Sequence, residues 1–100
     1  MRAPEACYTI EDVRSEIDQI DRDIVEAIAR RRHYVKSIMR FKQDEADVQA
    51  PERQAQVIAM RRQWAEELAL NPDLVEQIFR TMISHFISEE LEMLERRRES

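Results

Sequence analysis

Apolar residues recur along the first third of the chain at Ile10, Val13, Ile17, Ile20, Ile24, Ala27, Tyr34, Ile38 and Phe41. The steps alternate between three and four residues, which marks one face of an α-helix. One member is missing from the series, and Arg31 stands in its place. Thr9 suits the N-cap, and Glu11 and Asp12 follow in the first turn, where the helix dipole favours negative charge. No breaker occurs before residue 42. The pattern therefore predicts a short arm over residues 1–9 and a helix over 10–41, roughly 45–48 Å long.

Residues 42–50 are polar and acidic and read as a loop of ordinary length. Pro51 fits the first turn of a second helix, predicted over 51–69 with Val57, Ile58, Trp64, Ala65 and Leu68 as its apolar stripe. Asn71-Pro72-Asp73 is a stop-and-restart signal, with Asn71 as N-cap, Pro72 at the first helical position and Asp73 on the dipole. The third helix, over 71–98, carries Leu74, Val75, Ile78, Phe79, Met82, Ile83, Phe86, Met93 and Leu94. Glu90 lies on that same stripe, one helical repeat beyond Phe86.

Composition narrows the fold class. The 100 residues include no glycine and three prolines, and 37% are charged. Gly-rich phosphate loops and tight Asn-Gly hairpins are excluded, and an all-α, three-helix chain remains. A net charge of −5 argues against a general nucleic-acid binder. No apolar run approaches the roughly 20 residues of a membrane span, and no signal-peptide core precedes the first helix, so a cytoplasmic location is expected. Cys7 is the only cysteine, so no intramolecular disulfide forms.

Size adds a further expectation. A compact domain of this length is roughly 34 Å across, shorter than the predicted first helix. The two shorter helices of one chain cannot cover that helix's seam. A second copy supplies the missing apolar surface, which predicts a homodimer built on the long first helices. The alternative is a monomeric three-helix hairpin with one end protruding.

Two charges break the apolar pattern, Arg31 in the first seam and Glu90 in the third. Charged residues are rarely buried unless paired. Either these two pair with each other as a structural ion pair, or both face a pocket that holds a polar ligand. Other cations favour the pocket. Basic residues cluster at Arg30, Arg31, Arg32, Lys36, Arg40 and Lys42. Lys42 comes three helical turns after Arg31 and about 20° off the same face. Arg53 sits in the first turn of the second helix, where the helix end adds its own preference for anions. Arg14 lies beside the first seam, about 25 Å from Arg31 along the axis, so it can join the same pocket only from a partner subunit. Arg30 and Arg32 read as solvated surface charges. His33, His85 and Cys7 lack metal-ligand spacing, no nucleophile–base arrangement is present, and neither metal nor organic cofactor is indicated.

The chain resembles the all-helical chorismate mutase family, and within it the isochorismate pyruvate lyases of salicylate-siderophore pathways. The resemblance runs through Val13-Arg14, Ile17-Asp18-Gln19-Ile20-Asp21, Arg30-Arg31, Tyr34-Val35-Lys36, Arg40-Phe41-Lys42, Ala50-Pro51-Glu52-Arg53 and Arg62-Gln63-Trp64-Ala65-Glu66-Glu67. It covers essentially all of residues 1–100 as one domain, with 42–50 as an active-site loop. It implies an intertwined homodimer with two shared sites and a small dicarboxylate substrate, isochorismate or chorismate. It further implies that Arg14 crosses to the partner's site, that Arg31 and Arg53 bind substrate, and that Lys42 approaches the second carboxylate and ether oxygen from a mobile loop.

Two positions depart from the family pattern. Glu90 occupies a position that is usually glutamine, whose amide donates to the substrate's ether oxygen. A carboxyl donates only when protonated, a state that apolar surroundings favour. Gln54 stands where typical mutases carry a glutamate that accepts from the ring hydroxyl, which leans the reading toward the lyase. A rival of another class, a non-catalytic helical dimerisation module, accounts for the seams but not for the charges set into them.

Overall fold

A computed structural model describes residues 2–99. Among them the chain is helical throughout, without strands: a 3₁₀ turn at Pro4–Ala6, α1 at Ile10–Ile38, a second 3₁₀ turn at Met39–Phe41, α2 at Glu45–Gln49, α3 at Pro51–Glu67 and α4 at Pro72–Glu99. Three long helices occupy the three expected stretches, but α1 gives way to a 3₁₀ turn after Ile38 instead of running to residue 41, and α3 ends at Glu67 rather than 69. The described residues divide into two compact units, one up to Tyr34 and one from Val35 onward.

The first unit is the N-terminal arm and most of α1. Thr9 Oγ1 accepts from the Asp12 amide at 3.1 Å. In return the Asp12 carboxylate accepts from the amides of Tyr8 at 2.9 Å and Thr9 at 3.3 Å. This is a reciprocal capping box with aspartate in place of the usual glutamate. Those amides, Tyr8 first, together with Arg2 hold the Asp12 carboxyl below the usual carboxylate range. The cap is therefore complete above that range and weakens as pH falls through the depressed pKa. No residue of α1 is buried. Ile10, Val13, Ile17, Ile20, Ile24 and Val25 are between 43% and 65% exposed, so the apolar seam lies open along this chain.

The second unit holds the core. Met39, Val48 and Leu94 are buried together, with Ile87, Leu91 and Met93 packed around them. Val57, Ile58 and Ala65 are the buried residues of α3. Phe86, Glu90 and Leu94 are those of α4, spaced four residues apart on one face. Burial of each large apolar side chain contributes about 1.5–3 kcal/mol.

The segment 42–50 is more structured than the loop its polarity suggests, because α2 lies inside it. Asp44 Oδ1 accepts from the Asp47 amide at 2.9 Å, and the Asp47 carboxylate accepts from the Gln43 amide at 2.9 Å. So short a helix is marginal alone. Burial of Val48 and an ion pair from Arg98 to Glu45 tie it to α4.

Ala50 closes α2 and opens α3 in the left-handed region, at φ 39°. Ala69 is likewise left-handed, at φ 57°. There the Leu70 amide donates to Ala65 O at 2.8 Å and the Ala69 amide to Glu66 O at 3.2 Å, which forms a Schellman motif. That motif usually places glycine where Ala69 stands. Ala69 is exposed, so its methyl is strained without being packed. Ala69→Gly is expected to raise stability by about 1 kcal/mol, read as an upward shift of the urea midpoint. A lower midpoint would contradict the strain.

Past this corner, Arg62 donates to Asp73 at 2.9 Å and to Glu76 at 2.8 Å, and Arg80 donates to Glu76 at 2.6 Å. The guanidinium of Arg61 stacks on Trp64 at 4.6 Å and faces Phe79 at 5.5 Å. Trp64, Leu68, Leu74 and Ile78, all placed on apolar stripes by the sequence, remain between 45% and 72% exposed. The stripes are correct as stripes, but this chain alone does not cover them.

Candidate active site

Glu90 is the one charged residue among the buried residues described, at 7% exposure. It holds an interior position because α4 turns the same face inward at Phe86, Glu90 and Leu94. Leu94, one turn further on, packs against Met39 and Val48. The residues that build the core thus also place a carboxyl group within it.

Lys42 is positioned from the same cluster. Met39 is buried, the 3₁₀ turn ends at Phe41, and Lys42 follows with extended backbone. Its amide donates to Met39 O at 3.0 Å. Its ammonium donates to the carbonyl of Asp47 at 2.5 Å. The side chain is half-buried and folded over α2.

Gln54 is half-buried on the first turns of α3, and its amide nitrogen donates to Gln49 O. That leaves the Gln54 carbonyl oxygen available as an acceptor. Arg53 is exposed at the start of α3 and lines a shallow recess with Ala50, Pro51 and Glu52. Lys42, Arg53, Gln54 and Glu90 all belong to the second unit.

Arg14 and Arg31 belong to the first unit. Arg31 is half-buried, whereas its neighbours Arg30 and Arg32 are exposed. Arg14 is exposed and donates to Glu11 at 3.3 Å. Some 25 Å of helix separates Arg14 from Arg31, so one small ligand cannot touch both from a single chain. His33 and His85 are exposed. No metal-binding group of histidine, cysteine and carboxylates occurs among the described residues.

The sequence pattern did not single out Arg97. One guanidinium nitrogen donates to Met39 O at 3.1 Å and another to Lys42 O at 2.6 Å. Next to it, Arg98 pairs with Glu45, and this contact holds the Glu45 carboxyl below its usual range. The end of α4 thereby grips the segment that carries Lys42.

A family profile described as chorismate mutase type II matches residues 13–91. The chain belongs to the chorismate mutase type II family. Within and around that family, an isochorismate pyruvate lyase from Pseudomonas aeruginosa is 45% identical over 91 residues, covering 91% of this chain and 90% of the relative. A T-protein from Haemophilus influenzae is 35% identical and one from Enterobacter agglomerans 32% identical, each over 72 residues. The match spans 19% of either T-protein, a small part of those longer chains. No described helix of this family member is long and apolar enough to cross a membrane.

Proposed function

We propose that this protein is an isochorismate pyruvate lyase that releases pyruvate from isochorismate and leaves salicylate, acting as a homodimer with two shared sites. The observation that carries this reading is the 45% identity to a lyase over nine-tenths of both chains. The family match favours a second activity, rearrangement of chorismate to prephenate.

Both reactions are pericyclic and require no protein nucleophile. The protein's task is to fold a flexible enolpyruvyl side chain over the ring and to stabilise charge on the ether oxygen as its bond to carbon breaks. Arg31, Arg53 and the partner subunit's Arg14 bind the two carboxylates and select the reactive conformer. Lys42 exchanges the Asp47 carbonyl for the ether oxygen region. Protonated Glu90 donates to the same oxygen from within the apolar core, where a fixed donor is worth far more than in water. The Gln54 carbonyl accepts from the ring hydroxyl.

The exposed seam of α1 supports the dimer. Five aliphatic side chains of one stripe, from Ile10 to Ile24, stand open to water over four turns, a continuous apolar patch of the kind that marks an interaction surface. A second copy of α1, carrying the same periodic face, covers them.

The test is product analysis with each substrate in turn. Salicylate and pyruvate from isochorismate, faster than prephenate from chorismate, is the expected result. Prephenate alone would make the protein a mutase. Neither product, with no thermal stabilisation by either substrate, would leave a dimerisation module.

A further inference from the structure

Resting on the role proposed for Lys42, we infer that Arg97 is a positioning residue, whose guanidinium spans two backbone carbonyls and fixes the stretch from which Lys42 reaches the substrate.

The geometry is specific to a planar fork. Met39 O and Lys42 O flank the 3₁₀ turn, and Arg97 donates to both, at 3.1 and 2.6 Å. Met39 O also accepts from the Lys42 amide at 3.0 Å, so one carbonyl joins the turn's own closing bond to the arginine clamp. The Met39 side chain is meanwhile held in the core by Val48 and Leu94. Lys42 is thus anchored through its amide, its carbonyl and the residue three before it. Its side chain alone is left to move, from the Asp47 carbonyl to a ligand.

Charge and position agree with this role. Arg96, Arg97 and Arg98 occupy the last turn of α4, where the helix dipole favours cations, and the dipole accounts for all three equally. The reach of Arg97 to two main-chain oxygens is the added feature. Lysine cannot reproduce it, because an ammonium is a compact point charge without the rigid spacing of two donors. The neighbouring Arg98–Glu45 pair holds α2 from the outside, while Arg97 reaches the Lys42 carbonyl.

Displacement of a reacting group by about 1 Å costs on the order of a hundredfold in rate. Arg97→Met keeps the aliphatic stem and removes the fork. It is expected to lower kcat on isochorismate by roughly tenfold to a hundredfold with KM nearly unchanged, and Arg97→Lys should recover only part of the loss. In the Lys42→Ala background, Arg97→Met should have no further effect, since its action passes through Lys42. Amide exchange at Lys42 should quicken in Arg97→Met while amides within α3 stay protected. Wild-type kcat in Arg97→Met, alongside an inactive Lys42→Ala, would overturn the role of Arg97 alone. A full multiplicative loss in the double variant would overturn it too, by showing a general packing role. Wild-type turnover in Lys42→Ala would overturn the reading of Lys42 and this inference with it.

Discussion

Replacing Lys42 with alanine is expected to lower turnover of isochorismate by about a hundredfold to a thousandfold while the helical content and melting temperature stay near those of the unchanged protein. The size of the loss follows from where charge develops. As the ether bond breaks, its oxygen becomes more negative, and a donor that is stronger for that state than for the ground state acts on the rate constant rather than on binding. Lys42 is the cation proposed for this task; it is half-buried and its backbone is tied to the Met39 turn. Folding should survive because the side chain makes a single described hydrogen bond, to the Asp47 carbonyl, and does not belong to the Met39–Val48–Leu94 cluster. Steady-state kinetics with circular dichroism on the same samples make the measurement. Turnover within about twofold of the unchanged enzyme, far below the loss a missing donor produces, would remove Lys42 from the chemistry.

The second large effect concerns assembly. Ile17 and Ile24 lie one heptad apart on α1 and are 48% and 52% exposed in the single chain. If a second α1 covers this seam, Ile17→Glu combined with Ile24→Glu places carboxylates where two apolar faces meet, at a cost of several kcal/mol for each unpaired charge. Light scattering should give the mass of two chains for the unchanged protein. The double variant should show one chain, a large loss of thermal stability and no lyase activity, because Arg14 could no longer reach the partner's site. An unaltered dimer with the two glutamates in place would mean that the subunits meet elsewhere.

Much of the fold was legible because helices announce themselves locally. Thr9 and Asp12 form the cap their positions implied, Asn71 Oδ1 accepts from the Asp73 amide at 2.8 Å, and Pro51 and Pro72 open α3 and α4. Helix α2 was hidden because its evidence is small. It consists of two aspartates three residues apart and one apolar residue, Val48, in a polar run, and a short capped turn looks like a loop until its anchor is found. The exposed stripe residues Trp64, Leu68, Leu74 and Ile78 show another limit. Periodicity says that a face is apolar, not which chain covers it.

The candidate site was readable only in part, for a related reason. Glu90 and Arg31 stand out since each interrupts an apolar series, and an interruption is visible without any tertiary knowledge. Arg53 draws notice from its place at a helix start, and Gln54 only from the family resemblance, which sets it where typical mutases carry a glutamate. Arg97 gives no such sign. It is one arginine among three in a last turn, and its bond to a carbonyl 55 residues earlier depends on tertiary packing that no local pattern encodes.

Ala50 ends one helix and begins the next in a single left-handed residue. Such a joint leaves no spare linker between the two helices, and packing on both sides holds an alanine in a conformation it would not choose alone. Gln54 stiffens the elbow by bonding back to Gln49 across it. Release of the Lys42 ammonium from the Asp47 carbonyl is therefore a matter of the lysine's own side-chain torsions, with the angle between α2 and α3 unchanged.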